Sequence, residues 1–185
     1  MSWSLSWVAF QGKTPDEVQT AFGLKPTNDT CIAAEAPLCG RLLPSGWYIV
    51  IADRDLRFIE EAAHAAFESL SANAVACGIY EHGSFSSTKA WRAGTLLWSV
   101  SHDGSRGGRE LEATGAPPDG FDAMREAATA RYSTASGVDF MFDVPLELAQ
   151  SITGFRHDTS ELEFVVLEPT AATANQRLKP WWKFW

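Results

Sequence analysis

The chain has 185 residues, enough for one sizeable α+β core and too few for two large independent enzyme domains. Hydrophobic residues make up 45% and charged residues 21%, which excludes a disordered or fibrous polypeptide. With 15 Lys and Arg against 23 Asp and Glu, the net charge is −8 and the pI about 4.9. Such a surface repels a phosphate backbone, so nucleic acid is excluded beyond a local basic patch and a basic protein partner fits better.

Residues 1–7 (MSWSLSW) have neither a positive leader nor a continuous apolar run, so neither a secretion signal nor stable membrane insertion is expected, and a cytoplasmic location follows. Cys31, Cys39 and Cys77 cannot all pair with one another and lack Cys-x-x-Cys spacing, which predicts free thiols without a zinc knuckle.

In chain order, residues 3–10 alternate Trp3, Leu5 and Trp7 with serines, the period of a half-buried strand. Thr14, Pro15 and Glu17 then supply a helix cap, a proline in the first turn and the reciprocal glutamate of a capping box, predicting a helix to about Phe22. Residues 23–45, interrupted by Pro26, Pro37 and Pro44, read as irregular chain with at most short strands. The apolar run 46–52 predicts a strand covered on both faces. Asp55 can cap a helix whose Leu56, Ile59, Ala63, Phe67 and Leu70 share one face, with Glu60, His64 and Glu68 opposite. Residues 74–81, 85–91 and 95–102, separated by glycine-containing turns, predict an antiparallel meander. A helix over 119–132, a strand over 138–142, a helix over 145–152 and a strand over 162–168 complete the pattern. The whole reads as α+β, a mainly antiparallel sheet with helices packed on one side, in a single domain over 1–170 followed by a tryptophan-rich tail over 171–185.

The residues that could carry chemistry are His82, His102 with Asp103, and His157 with Asp158, since each of these histidines sits at the end of a predicted element beside a carboxylate. Strand ends hold side chains rigidly outside the packed sheet, where they can act as acid and base or gather a metal. No local metal-binding spacing joins them, and a turn role for the His-Asp pairs is the simpler reading. Arg106 and Arg109 in a glycine-rich loop, together with Arg156, could bind an anion, although an ordinary loop of this composition needs no ligand. No phosphate-binding loop, dinucleotide fingerprint or nucleophile elbow is present, and no cofactor or metal is expected.

Cys77 alternates with Val75 and Ile79 on one strand face, as a small core residue does, and Asp143 is placed to cap the helix over 145–152. Asp139 and Asp143 stand four strand residues apart, roughly 13 Å, too far to act together on one bond. Of eight tryptophans, Trp181, Trp182 and Trp185 close the sequence in company with Lys179 and Lys183, forming a cationic aromatic segment suited to an interface. It can fold back over an apolar groove, pair with a second copy in a homo-oligomer or rest at a membrane surface.

Glu81-His82, Trp91, Gly94, Leu97-Trp98-Ser99, His102-Asp103, the run 138–149, the run 154–158 and the closing Trp-Trp-Lys-Phe-Trp resemble a group of small bacterial proteins of unknown function. In size and charge the chain is also similar to immunity proteins, which neutralise a toxin. The expected function is therefore a non-enzymatic protein-binding module, with a small hydrolase or metal-dependent enzyme built on His82, His102 and His157 as the alternative.

Overall fold

The computed structural model describes residues 2–33, 35–56, 63–107, 109–132, 137–159 and 161–171, with the backbone alone for 63–65. Nine strands form one antiparallel sheet: β1 (Ser4–Gln11), β2 (Leu24–Ile32), β3 (Leu38–Leu42), β4 (Trp47–Asp53), β5 (Asn73–Tyr80), β6 (Phe85–Arg92), β7 (Thr95–Asp103), β8 (Glu112–Gly115) and β9 (Glu163–Pro169). Their spatial order is β2-β9-β3-β4-β1-β5-β6-β7-β8. The helices are α1 (Pro15–Phe22), α2 (Ala63–Leu70), α3 (Phe121–Arg131) and α4 (Asp143–Thr153).

The expected capping box at Thr14 and Glu17 is formed, and Gly23 closes α1 in the left-handed conformation at φ 61°. The meander of β5, β6 and β7 is also present, joined by a short 3-10 turn at Glu81–Gly83 and a two-residue turn at Ala93 and Gly94. β4 is buried on both faces, as its continuous apolar run requires.

The helices do not share one side of the sheet. In β1, Leu5, Trp7 and Ala9 face a core with Phe121, Ala128, Val144 and Leu148 from α3 and α4. Val8 and Phe10 point the other way, into a core with Val18, Phe22, Phe67 and Leu70 from α1 and α2. Successive residues of a strand alternate between faces, so the antiparallel α+β sheet carries a helix pair on each. β1 is accordingly buried on both faces rather than half-buried. Its serine alternation is misleading because the Ser6 hydroxyl, fully buried, donates to the backbone carbonyl of Asp55 at 2.5 Å and needs no water.

Three further differences have local causes. β2 extends for nine residues despite Pro26, because it pairs only with β9 at the sheet edge and a bulge separates Pro26 from Thr30. Residues 138–142 are not a strand. Side chains of β6 hold this segment and the first turn of α4, with Ser86 Oγ donating to the Phe142 carbonyl at 2.7 Å and Thr88 Oγ1 to the Pro145 carbonyl at 2.6 Å. α4 begins at Asp143, inside the helix instead of capping it. The predicted helix start after Asp55 lies outside the described residues, as does the His64 side chain.

Candidate functional site

Where β6 and β7 end, residues from four segments converge. Ser86 and His102 are register partners, so His102 closes the row of inward side chains that includes Trp98 and Val100. Its side chain is fully buried, and Nε2 lies 2.7 Å from Oδ2 of Asp139 while Nδ1 lies 2.7 Å from the Glu110 carbonyl. Ser84 Oγ donates to Asp139 Oδ2 at 2.5 Å, and the hydroxyl of Tyr132, beyond the end of α3, donates to Oδ1 at 3.0 Å. Oδ1 also receives the Phe142 N–H at 3.3 Å, and the Met141 N–H donates to the Tyr132 oxygen at 3.3 Å.

One carboxylate thus accepts four donors. Burial alone would raise the Asp139 pKa, but the Ser84, His102 and Tyr132 hydrogen bonds outweigh it and hold the carboxyl below its ordinary range. Tyr132 is shifted the opposite way, upward, by burial and by the negative charge of Asp139. Each ring nitrogen of His102 thus faces an oxygen, Nδ1 the Glu110 carbonyl and Nε2 the Asp139 carboxylate.

This geometry is not a nucleophilic triad. There the histidine stands between hydroxyl and carboxylate, whereas here Ser84 and His102 both bond to Asp139 and no ring nitrogen remains to take a proton from Ser84. Packing around the cluster is tight as well. A Cβ at Gly104 would lie 2.5 Å from Ser84 Cβ and 3.2 Å from Asp139 Oδ2, so this position has no room for a side chain. What the arrangement does is fasten the 137–142 segment, between α3 and α4, to the end of the sheet.

The other candidate residues stand apart from it. His82 is exposed on the 3-10 turn, edge-on to Tyr80 at 6.2 Å between ring centroids. Asp103 accepts the backbone N–H of Ser105 at 3.0 Å and its hydroxyl at 2.6 Å, bonds that lower its pKa and make it a turn residue. His157 is 4% exposed and edge-on to Trp3 at 5.5 Å, and its Nε2 has no hydrogen-bond partner. Burial lowers its pKa, which makes the neutral ring the resident form. Asp158 is paired with Arg156, whose Nε and Nη2 reach its oxygens at 2.7 and 3.1 Å. Arg156 Nη2 also donates to Asp143 at 2.7 Å, so this guanidinium spends its charge on two carboxylates of its own chain. Among the described residues, no group of three or more His, Cys, Asp or Glu side chains is arranged to hold a metal ion.

Arg106 is likewise occupied, by Glu112 at 2.5 Å and Asp103 at 3.4 Å, and the Arg109 guanidinium lies 5.0 Å from the centre of the Tyr132 ring. Phe85, Ser101, Asp103, Arg106, Glu110 and Glu112 line a hollow of about 70 Å³, well below the roughly 300 Å³ at which small-molecule pockets begin. Cys31, Cys39 and Cys77 are free thiols, and burial pushes the Cys77 thiol up to about 12, suiting a core position. Trp181, Trp182 and Trp185 lie outside the described residues.

Ser84, Tyr132 and Asp139 were not among the candidates drawn from the sequence. The spacing of Ser84, Ser86 and Thr88 at every second position was the available signal, since all three hydroxyls reach the 139–145 segment. No helix among the described residues is long and apolar enough to cross a membrane. No family model, curated protein or solved structure matches the chain.

Proposed function

We propose that the protein is a non-enzymatic binding module that engages a basic protein partner, in the manner of immunity proteins. The observation that supports this reading best is the hydrogen-bond saturation of the His102–Asp139 cluster: each ring nitrogen and each carboxylate oxygen is spent on a partner inside the chain. A catalytic acid or base needs a free position facing substrate, and His102 has none. The 23 acidic against 15 basic residues supply long-range attraction for a cationic partner. Three free thiols suit a reducing compartment, so the cytoplasm belongs to the same reading.

The test is affinity capture from the native host with the full chain as bait, at about 50 mM and 500 mM salt. One stoichiometric, basic partner retained at low salt and weakened at high salt is expected. Absence of any stoichiometric partner at both salt levels overturns the proposal.

A further inference from the structure

His157 is a buried ionisable ring that takes no part in the Asp139 cluster. It opens the turn 157–159 beyond α4. Two residues earlier, Phe155 is wedged edge-on between Trp7 at 5.6 Å and Phe164 at 5.9 Å, which anchors the chain on the sheet. Past that anchor, the His157 ring is 4% exposed, lies edge-on to Trp3 at 5.5 Å and keeps Nε2 without a hydrogen-bond partner. An unbonded buried polar atom is destabilising, so the closed turn holds a group that gains a partner by reaching water.

Trp3 is held at the same end of the sheet. Its N–H donates to Oε2 of Glu81 at 2.8 Å and its carbonyl accepts the Glu81 N–H at 3.0 Å, which continues the pairing of β1 with β5 beyond Ser4 and Tyr80. Four charged groups face the His157 ring: Glu81 from the 3-10 turn after β5, Asp143 from the start of α4, and Arg156 and Asp158 from its own segment. Each of the three carboxylates is bonded elsewhere, Asp143 and Asp158 to Arg156 and Glu81 to Trp3. A proton on His157 would therefore set a second cation beside the Arg156 guanidinium, in a site closed to water and with no oxygen bonded to Nε2.

We infer that His157 and Trp3 form a proton-operated latch: with the ring neutral the turn 157–159 stays closed against Trp3, and uptake of a proton swings the ring out to water, uncovering Trp3 and loosening its two hydrogen bonds to Glu81. Phe155 is the pivot, because its contacts with Trp7 and Phe164 do not depend on the charge of its neighbour. Burial favours the neutral ring in the closed turn, whereas the opened ring has its ordinary proton affinity near pH 6.5. The open population accordingly rises as the pH falls below that value, by up to about tenfold between about pH 7.5 and 5.5. The latch stands independently of any external partner.

Amide hydrogen exchange of the full chain, followed by NMR at about pH 7.5 and 5.5 and expressed as protection factors, tests it. The Trp3 and Glu81 amides should be less protected than that of Val8 in the middle of β1. On acidification they should lose a further three- to tenfold or so, a loss that about 1 M urea leaves unchanged because little surface is exposed. Equal protection at Trp3 and Val8 makes the opening global and overturns the latch, as does Trp3 protection that is the same at both pH values. His157→Phe keeps a ring against Trp3 and should abolish the acid-induced loss, whereas its persistence in that variant refutes the assignment. Glu81→Gln keeps an oxygen for the Trp3 N–H while removing one negative charge that faces the ring, so the ¹³Cε1 titration of His157 should move to lower pH than in the native chain. A native midpoint at or above about 6.5, or one that Glu81→Gln leaves in place, also overturns the latch.

Discussion

Nε2 of His102 lies 2.7 Å from Oδ2 of Asp139, a residue 37 positions further along the chain. This contact couples the last inward residue of β7 to the segment that leads into α4. Because Asp139 also takes the Ser84 and Tyr132 hydroxyls, the loop is positioned by charge and hydrogen bonds where no strand pairing holds it.

Asp139→Ala should therefore leave His102 Nε2 and the Ser84 and Tyr132 hydroxyls without their acceptor. Unsatisfied buried polar groups cost roughly 1–3 kcal/mol, and with the Asp139 side chain 26% exposed the loss should be about 2–3 kcal/mol. Tyr132→Phe, which removes one neutral donor, should cost about 1 kcal/mol. Urea unfolding followed by circular dichroism measures both, and equal stabilities for the three proteins would contradict the assignment.

Gly104→Ala should destabilise by about 1–3 kcal/mol, because the new methyl group would overlap Ser84. Ser84 itself has φ 48°, a left-handed conformation that glycine adopts freely. In a Ser84→Gly background the same Gly104→Ala change should cost less, since the atom it strikes is gone. A double-mutant cycle in urea reads this coupling, and strictly additive costs would show that the two Cβ positions do not compete.

Acidification should weaken the fold through His157. Burial depresses its folded-state pKa, so between that value and the ordinary one near 6.5 the unfolded chain binds more protons than the folded one. Its contribution is complete above about pH 6.5 and is lost as the pH falls below that value. Glu81, Asp143 and Asp158 oppose the shift, and Arg156 reinforces it. Asp139, depressed below its ordinary 3.8, contributes stability that is lost only at lower pH. Unfolding free energies at about pH 7.5, 6.5 and 5.5 should decline for the native protein and decline less for His157→Phe. Parallel declines would assign the acid sensitivity elsewhere.

Native thiol labelling should find one reactive cysteine. Cys31 is partly exposed, whereas Cys39 and Cys77 are buried and the Cys77 pKa is raised to about 12. Ellman's reagent should modify about one thiol per folded chain and three in denaturant. Prompt labelling of Cys77 in the native state would show that the core between β5 and α4 opens.

Much of the architecture was legible in the sequence because its causes are local. The capping box at Thr14, the continuous apolar run of β4 and the alternation of Val75, Cys77 and Ile79 each express a periodicity or a hydrogen bond within a few residues. The departures arose where a distant partner changed the meaning of a local pattern. Ser6 looks solvent-facing until the Asp55 carbonyl covers it, and residues 138–142 look like a strand until β6 hydroxyls and the Asp139 carboxylate take their backbone groups.

What the sequence determined by itself was the antiparallel α+β meander, the acidic balance, the core position of Cys77 and the absence of any local metal-binding spacing. Tertiary structure alone decided that the helices divide between two faces, that β2 and β8 form the edges and that Ser84, His102, Tyr132 and Asp139 meet. Periodicity fixes which side of an element is apolar. Which carboxylate comes to a given histidine depends on sheet register and on the path of the connecting loops, and both are set by the packing of the whole chain.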